Sequence, residues 1–237
     1  MENASYTTLT RQAGLLREMS VVANNIANAS TTGFRQDGMV FSEFVSRTGD
    51  RDSLSMATAN VQSNSMVQGA LTRTGGTFDM AIEGEGFFMV QTPQGERLTR
   101  AGSFTPNAQG DLVTLDGMPV LDVGGAPVFV PPSGGDIAVA PDGTLSADGK
   151  PITQIGIFMP DENANLVREG GVRFRVNGDV EFSETSKVVQ GFLESSNVDA
   201  VTQLARMIEV QRAYEMGQGF LESENERIRT ALKTFVR

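Results

Sequence analysis

From Met207 to Phe235 a single helical stripe can be traced at alternating steps of three and four, through Met207, Val210, Tyr214, Gly217, Leu221, Glu224, Ile228, Ala231 and Phe235, with weak points at Gly217 and Glu224. That spacing is of coiled-coil type, and the stripe needs another helix to cover it. No Pro or tight Gly cluster interrupts Val198 to Arg237, so the pattern predicts one helix on the order of 60 Å long, more than a domain of this size covers along its whole length. Asn197 or Ser196 is expected to cap its start, with Asp199 in the first turn favourable to the helix dipole.

The other end of the chain carries a second amphipathic pattern. Leu9, Leu15, Leu16, Met19, Val22, Ala23 and Ile26 recur at helical spacing, while Thr8, Arg11, Arg17, Glu18 and Asn25 form a polar face. This helix ends in "ANNIANASTTGFR", Ala23 to Arg35, a run of mediocre helix formers. Gly33 suits the left-handed conformation that stops a helix, and Phe34 can anchor the exit. Asn24, Asn25 and Asn28 offer amides that fix register against neighbours. On this reading Gly33→Val hinders assembly more than it unfolds the β body that follows.

Between the helices the pattern changes. Turn signals recur at Gln94-Gly95, Gln109-Gly110, Asp116-Gly117, Gly124-Gly125, Gly134-Gly135, Asp142-Gly143, Asp148-Gly149 and Asn177-Gly178, separated by short β-prone runs such as "GFFMVQT" and "ITQIGIF". The fold class expected is a mainly β body, an irregular sandwich or barrel of short antiparallel strands, with N- and C-terminal α-helices that pair as a coiled coil on assembly. The boundaries are 1–35 for the N-terminal helix, 36–74 for an extended linker, 75–190 for the β domain and 191–237 for the C-terminal helix.

Composition removes most chemistry. Cys and His are both absent from the 237 residues, which excludes disulfides, thiolate catalysis, most hydrolytic triads and the commonest metal ligand. A net charge of −10 with 19 scattered basic residues argues against nucleic acid and anionic membranes. No apolar run reaches the roughly 18 residues that span a bilayer, and the first 30 residues do not form a cleaved leader. "GEGFF" at Gly84 lacks the third glycine and the helix of a dinucleotide loop, and "DENANL" at Asp161 lacks the later ligands of a calcium loop. Glu83 and Glu85 could pair as glycosidase carboxylates, yet the chain has no Trp and only two Tyr to stack on sugar. No catalytic, cofactor or metal site assembles, and an enzyme is not expected.

Four blocks, in order, carry a resemblance: "YTTLTRQAGLLREMSVVANNIANASTTGFR", "FDMAIEGEGFFMV", "LTRAGSFTPNAQGDLVTLDGMPVL" and "VVQGFLESSNVDAVTQLARMIEVQRAYEM". The first resembles the N-terminal signature of the bacterial flagellar axial proteins, the rod and hook family, in Ala23, Asn24, Asn25, Ile26, Ala27, Asn28, Thr31, Thr32, Gly33 and Phe34. The short β body and the opening are most similar to proximal rod subunits, with distal rod subunits as the close alternative. A soluble β-domain binding protein oligomerising through helical ends is the alternative from another class.

The resemblance implies a structural subunit of the flagellar basal-body rod, with terminal helices packed inside a tube and the β body outside. It implies export through the flagellar type III apparatus to the periplasmic rod without a cleaved signal peptide. Partners implied are rod subunits of the same and related kinds, the export apparatus and the basal-body rings, with no nucleic acid, no membrane insertion and no cofactor. The residues assigned to the assembly interface are Leu9, Leu16, Met19, Asn24, Asn25, Ile26, Asn28, Gly33, Phe34, Met207, Val210, Tyr214, Leu221 and Ile228. "FSEFV" matches in form a short export motif, with Phe41 and Val45 as its apolar ends.

Overall fold

The computed structural model describes residues 2–46, 54–132, 135–161, 164–183 and 185–235. The chain divides into two compact units, one formed by residues 1–29, 36–65 and 198–237 and the other by 30–35 and 66–197.

The helical unit contains α1 (Glu2–Ala27), β1 (Asp37–Ser46), β2 (Leu54–Asn64) and, from the far end of the sequence, α2 (Ala200–Phe235). Residues 36–74, expected as an extended linker, hold a ten-residue antiparallel ladder from Asp37 opposite Asn64 to Ser46 opposite Leu54, with a bulge between Val40 and Phe41. The Ser65 amide donates to the Gln36 carbonyl at 2.9 Å and closes the base of this hairpin. The expected linker is thus a paired hairpin in its backbone.

At the start of α2 the cap is neither Asn197 nor Ser196 but Asp199. Its Oδ1 accepts from the amides of Val201 at 2.9 Å and Thr202 at 3.2 Å, filling two of the positions a helix start leaves open. Those hydrogen bonds hold the Asp199 carboxyl below its ordinary pKa.

Among the described residues the β unit carries fifteen short strands: β3 (Leu71–Arg73), β4 (Met80–Glu83), β5 (Phe87–Thr92), β6 (Gly95–Thr99), β7 (Phe104–Pro106), β8 (Leu112–Thr114), β9 (Ile137–Val139), β10 (Thr144–Ala147), β11 (Lys150–Gln154), β12 (Ile157–Pro160), β13 (Asn165–Glu169), β14 (Arg173–Asn177), β15 (Val180–Phe182), β16 (Lys187–Gln190) and β17 (Phe192–Glu194). Six of them make the main antiparallel sheet, in the order β13-β14-β6-β5-β12-β15. β9 to β11 form a three-stranded sheet, and the pairs β4-β16, β3-β17 and β7-β8 complete the ladders.

The two-residue period of β5 explains how one strand serves two cores. Phe88 and Val90 point into a cluster with Met80, Ile82, Leu112, Ile155 and Ile157, while Phe87 and Met89 point into a second with Leu98, Leu121, Phe158 and Phe174. Edge-on ring pairs sit in each, Phe88 with Phe104 at 5.3 Å and Phe87 with Phe174 at 5.7 Å. The molecule is thus mainly β, with short antiparallel strands and a helix at each end, as the turn density and terminal periodicities imply.

Candidate functional site

In the helical unit α1 and α2 run antiparallel along a seam that combines apolar packing with three polar locks. Leu15, Val22 and Val210 are buried. Near the start of α1, Gln12 Nε2 donates to the Tyr214 carbonyl at 2.8 Å. Gly217 makes that approach possible, because a Cβ there would lie 2.2 Å from Gln12 Nε2. Midway, the Arg206 guanidinium reaches Glu18 Oε1, with Nε at 2.7 Å, and this raises the Arg206 pKa. At the far end Asn25 Nδ2 donates to Gln203 Oε1 at 3.2 Å.

Asn25 does more than join two helices. Its Nδ2 also donates to the Asp37 carbonyl at 2.7 Å and its Oδ1 accepts from the Asp37 amide at 2.9 Å, so both ends of the amide pin the first residue of β1. Asn24 Nδ2 adds a contact to Asp37 Oδ2 at 3.3 Å, and Asn28 Nδ2 bonds back to Asn24 at 2.9 and 3.1 Å. The asparagines of "ANNIAN" therefore bond inside the chain, and Asn25 is buried there.

Of the other residues assigned to an interface, Met19, Ile26, Met207, Tyr214 and Leu221 are half-buried. Leu9 is 54% exposed, Leu16 47% and Ile228 42%. The N-terminal apolar stripe thus splits into two rows. The row of Leu15 and Val22 is buried, and the row of Leu9, Leu16 and Ala23, seven residues apart, faces outward. On α2, Val201, Leu204, Ile208, Met216, Phe220 and Leu232 are also exposed. A groove of about 370 Å³ opens between Gln12, Leu15, Met216, Gly217 and Phe220. The buried Gln12 Oε1 has no hydrogen-bond partner among the described residues.

Gly33 and Phe34 belong to the β unit. Gly33 has φ +70° and donates its amide to the Glu194 carbonyl at 2.8 Å. A Cβ there would sit 2.2 Å from the Ala101 nitrogen, so backbone approaches backbone with no room for a side chain. Phe34 is fully buried, with the Arg168 guanidinium 4.4 Å from its ring centre. Gly33 is thus part of the packing of the β unit, so Gly33→Val, expected to hinder assembly more than it unfolds that body, strains the body directly.

Sequence reasoning missed the most buried charges among the described residues. Arg35 and Arg100 both bond Glu194, at 3.0 and 3.1 Å, with all three side chains almost completely out of solvent. Arg35 also donates to the carbonyls of Met66 and Val67, Arg100 to those of Ile82 and Gly84, and the Gly69 amide to Glu194 Oε1. Desolvation pushes both guanidinium pKa values down, Arg100 to about 10, and Glu194 opposes the shift. Arg100 therefore stays charged at neutral pH, and the shared carboxylate ties together segments distant in sequence. The available signal was one charged residue in each of three family blocks, "TTGFR", "LTRAG" and "GFLES".

The backbone of Phe41 and Val45 lies in β1, opposite Ala59 and Ser55, and their side chains lie outside the described residues. Glu83 and Glu85 are exposed, and no group of acidic residues able to hold a metal occurs among the described residues.

Three family profiles match the chain: Flagella basal body rod protein over residues 6–35, Flagellar hook protein FlgE/F/G D1 domain over 81–147, and Flagellar basal body rod FlgEFG protein C-terminal over 189–234. The chain is 40% identical to the flagellar basal-body rod protein FlgF of Caulobacter vibrioides over 98% of both chains. It is 37% identical to FlgF of Mesorhizobium japonicum, covering 99% of this chain and 98% of the relative. To the rod protein FlgG of Bacillus subtilis it is 30% identical, with 95% and 96% covered.

Proposed function

The chain belongs to the flagellar basal-body rod protein family, and from that membership we propose that it is a structural subunit that polymerises through its terminal helices into the axial rod. The observation that carries this reading is the pair of apolar rows on α1. One row is satisfied by α2, and the other, Leu9, Leu16 and Ala23, is left facing outward at heptad spacing. Burying a leucine side chain is worth about 1.5–3 kcal/mol, so a repeated row of them on many copies supplies a strong drive to associate. Catalysis has no part in this role.

The finer assignment is to the proximal rod, supported by the similarity to FlgF proteins at 37–40% identity. A periplasmic position implies passage through the flagellar export apparatus, with Phe41 to Val45 read in the unfolded chain before β1 pairs. The basal-body rings are the remaining proposed neighbours.

The full chain carrying Leu16→Asp tests the reading. Leu16 is exposed in the single copy, so the thermal transition of the variant should match that of the parent chain to within about 0.5 kcal/mol of stability. Basal bodies purified from cells making only the variant should lack the subunit, and those cells should not swim. Intact rods containing Leu16→Asp at normal stoichiometry would refute assembly through this face.

A further inference from the structure

The helix pair carries an apolar ridge on one side and an apolar groove on the other. Leu9 and Leu16 stand out from α1, 54% and 47% exposed and one heptad apart. The groove is walled on α1 by Arg11 and Leu15 and on α2 by Met216 and Phe220, and it opens because Ala213 and Gly217 present little or no side chain there. At 100° per residue, Leu9 is turned about 160° around α1 from Arg11, and Leu16 about 140°. Ridge and groove therefore face nearly opposite directions.

They also lie at one height. The ridge spans residues 9 to 16 of α1, and the groove runs along residues 8 to 15. Gln12 bonds Tyr214 and Glu18 bonds Arg206, so the equal rise of two antiparallel helices puts Leu9 level with about residue 217 of α2, beside Met216. A groove two turns long and a ridge two turns long are the halves of one contact. A single copy cannot close it, because its own ridge points away from its own groove.

We propose that the groove of each copy receives the Leu9 and Leu16 ridge of a second copy, the two α1 helices running parallel at nearly equal height, with Leu9 of one against Met216 of the other and Leu16 over Leu15. The inference rests on the rod-subunit reading and names the surface that takes its outward row. Copies related by an assembly axis present their helices in the same direction, and the equal lengths of ridge and groove fix the height at which they meet. The two surfaces differ, so no face meets itself. A third copy joins on the far side of the second, away from the first, and the contact repeats around a ring or, with a constant rise, along a helical wall.

Met216 and Phe220 are 70% and 43% exposed in the single copy, so replacing them disturbs no buried side chain. Basal bodies from cells making only Phe220→Asp should lack the subunit, although the purified variant melts like its parent. Phe220→Asp incorporated at normal stoichiometry while Leu16→Asp is excluded would overturn the groove and leave the rod reading standing. The chain has no cysteine, so the pairing itself can be trapped as a disulfide. With helix axes about 8–10 Å apart and the two Cα atoms turned to opposite sides, Leu9 and Met216 of one chain lie beyond the ~7 Å that a disulfide spans. Oxidised basal bodies carrying Leu9→Cys with Met216→Cys should yield a ladder of dimers and higher multiples of this chain on a non-reducing gel, while each single variant stays monomeric. A double variant present yet monomeric, single variants that dimerise as well as the double one, or a product joined to a chain of another mass would each overturn the pairing. Absence of the parent chain from purified basal bodies would instead remove the rod reading, and this contact with it.

Discussion

Gly33 carries two constraints where Gly171 carries one. Both have positive φ, +70° and +77°, but a Cβ on Gly171 meets nothing within 4 Å, while one on Gly33 runs into the backbone of Arg100 and Ala101. Gly171→Ala should therefore cost only the ~1–2 kcal/mol of a left-handed non-glycine residue. Gly33→Ala adds a clash that only main-chain movement relieves, and about 2–4 kcal/mol in total is expected. Denaturant melts of the two variants provide the comparison, and equal losses would show that close approach contributes nothing. The left-handed conformation of Gly33 was legible, but its role as the helix stop is not what the structure shows, since α1 ends at Ala27 and the Gly33 amide bonds Glu194. Its contact with a segment almost seventy residues later was not legible, because a local pattern holds no record of which distant backbone arrives. The same holds for Arg35, Arg100 and Glu194, three charges that read singly as solvated and become a network only when the fold joins them.

The ends and faces of the helices show what periodicity can and cannot assign. The three-four spacing located α2, yet an apolar stripe seven residues strong on α1 did not reveal that Leu15 and Leu16 face different surroundings. Neighbouring positions differ by about 100° around a helix, so a broad stripe can serve two partners at once. At the start of α2 the cap is a titratable group. Its folded pKa is depressed, so its contribution is complete above the ordinary aspartate value of about 4 and is lost as pH falls through the folded pKa. Asp199→Asn retains an acceptor oxygen without the titration. Between about pH 5 and pH 3 the helical circular dichroism of the Asn variant should change less than that of the parent, and identical profiles would show that the cap carries no such linkage.

Across the whole molecule, the chain passes between its two units after residues 29, 35, 65 and 197, so the compact units are not consecutive stretches of sequence. A boundary drawn at residue 35 assigns Phe34 and Arg35 to the helix, whereas their burial and partners place them in the β unit. Removing residues 1–29 should leave the main β-unit transition near its original temperature. Removing 1–35 also takes a fully buried aromatic and leaves Arg100 to Glu194 without its third member, losses of about 3–5 kcal/mol each. At about 2–4 °C per kcal/mol, the longer truncation should melt more than about 10 °C below the shorter, as differential scanning calorimetry would read. Equal melting points would move the boundary back to 35.

The ion network also imposes an order in time. A chain made from its N-terminus presents Arg35 and Arg100 long before Glu194, and two guanidinium groups cannot be sealed from water without their carboxylate. Before Glu194 is made, burying those two guanidinium groups has no carboxylate to offset it. Glu194 is thus a late keystone, a residue near the end of the β unit on which the burial of two earlier charges depends.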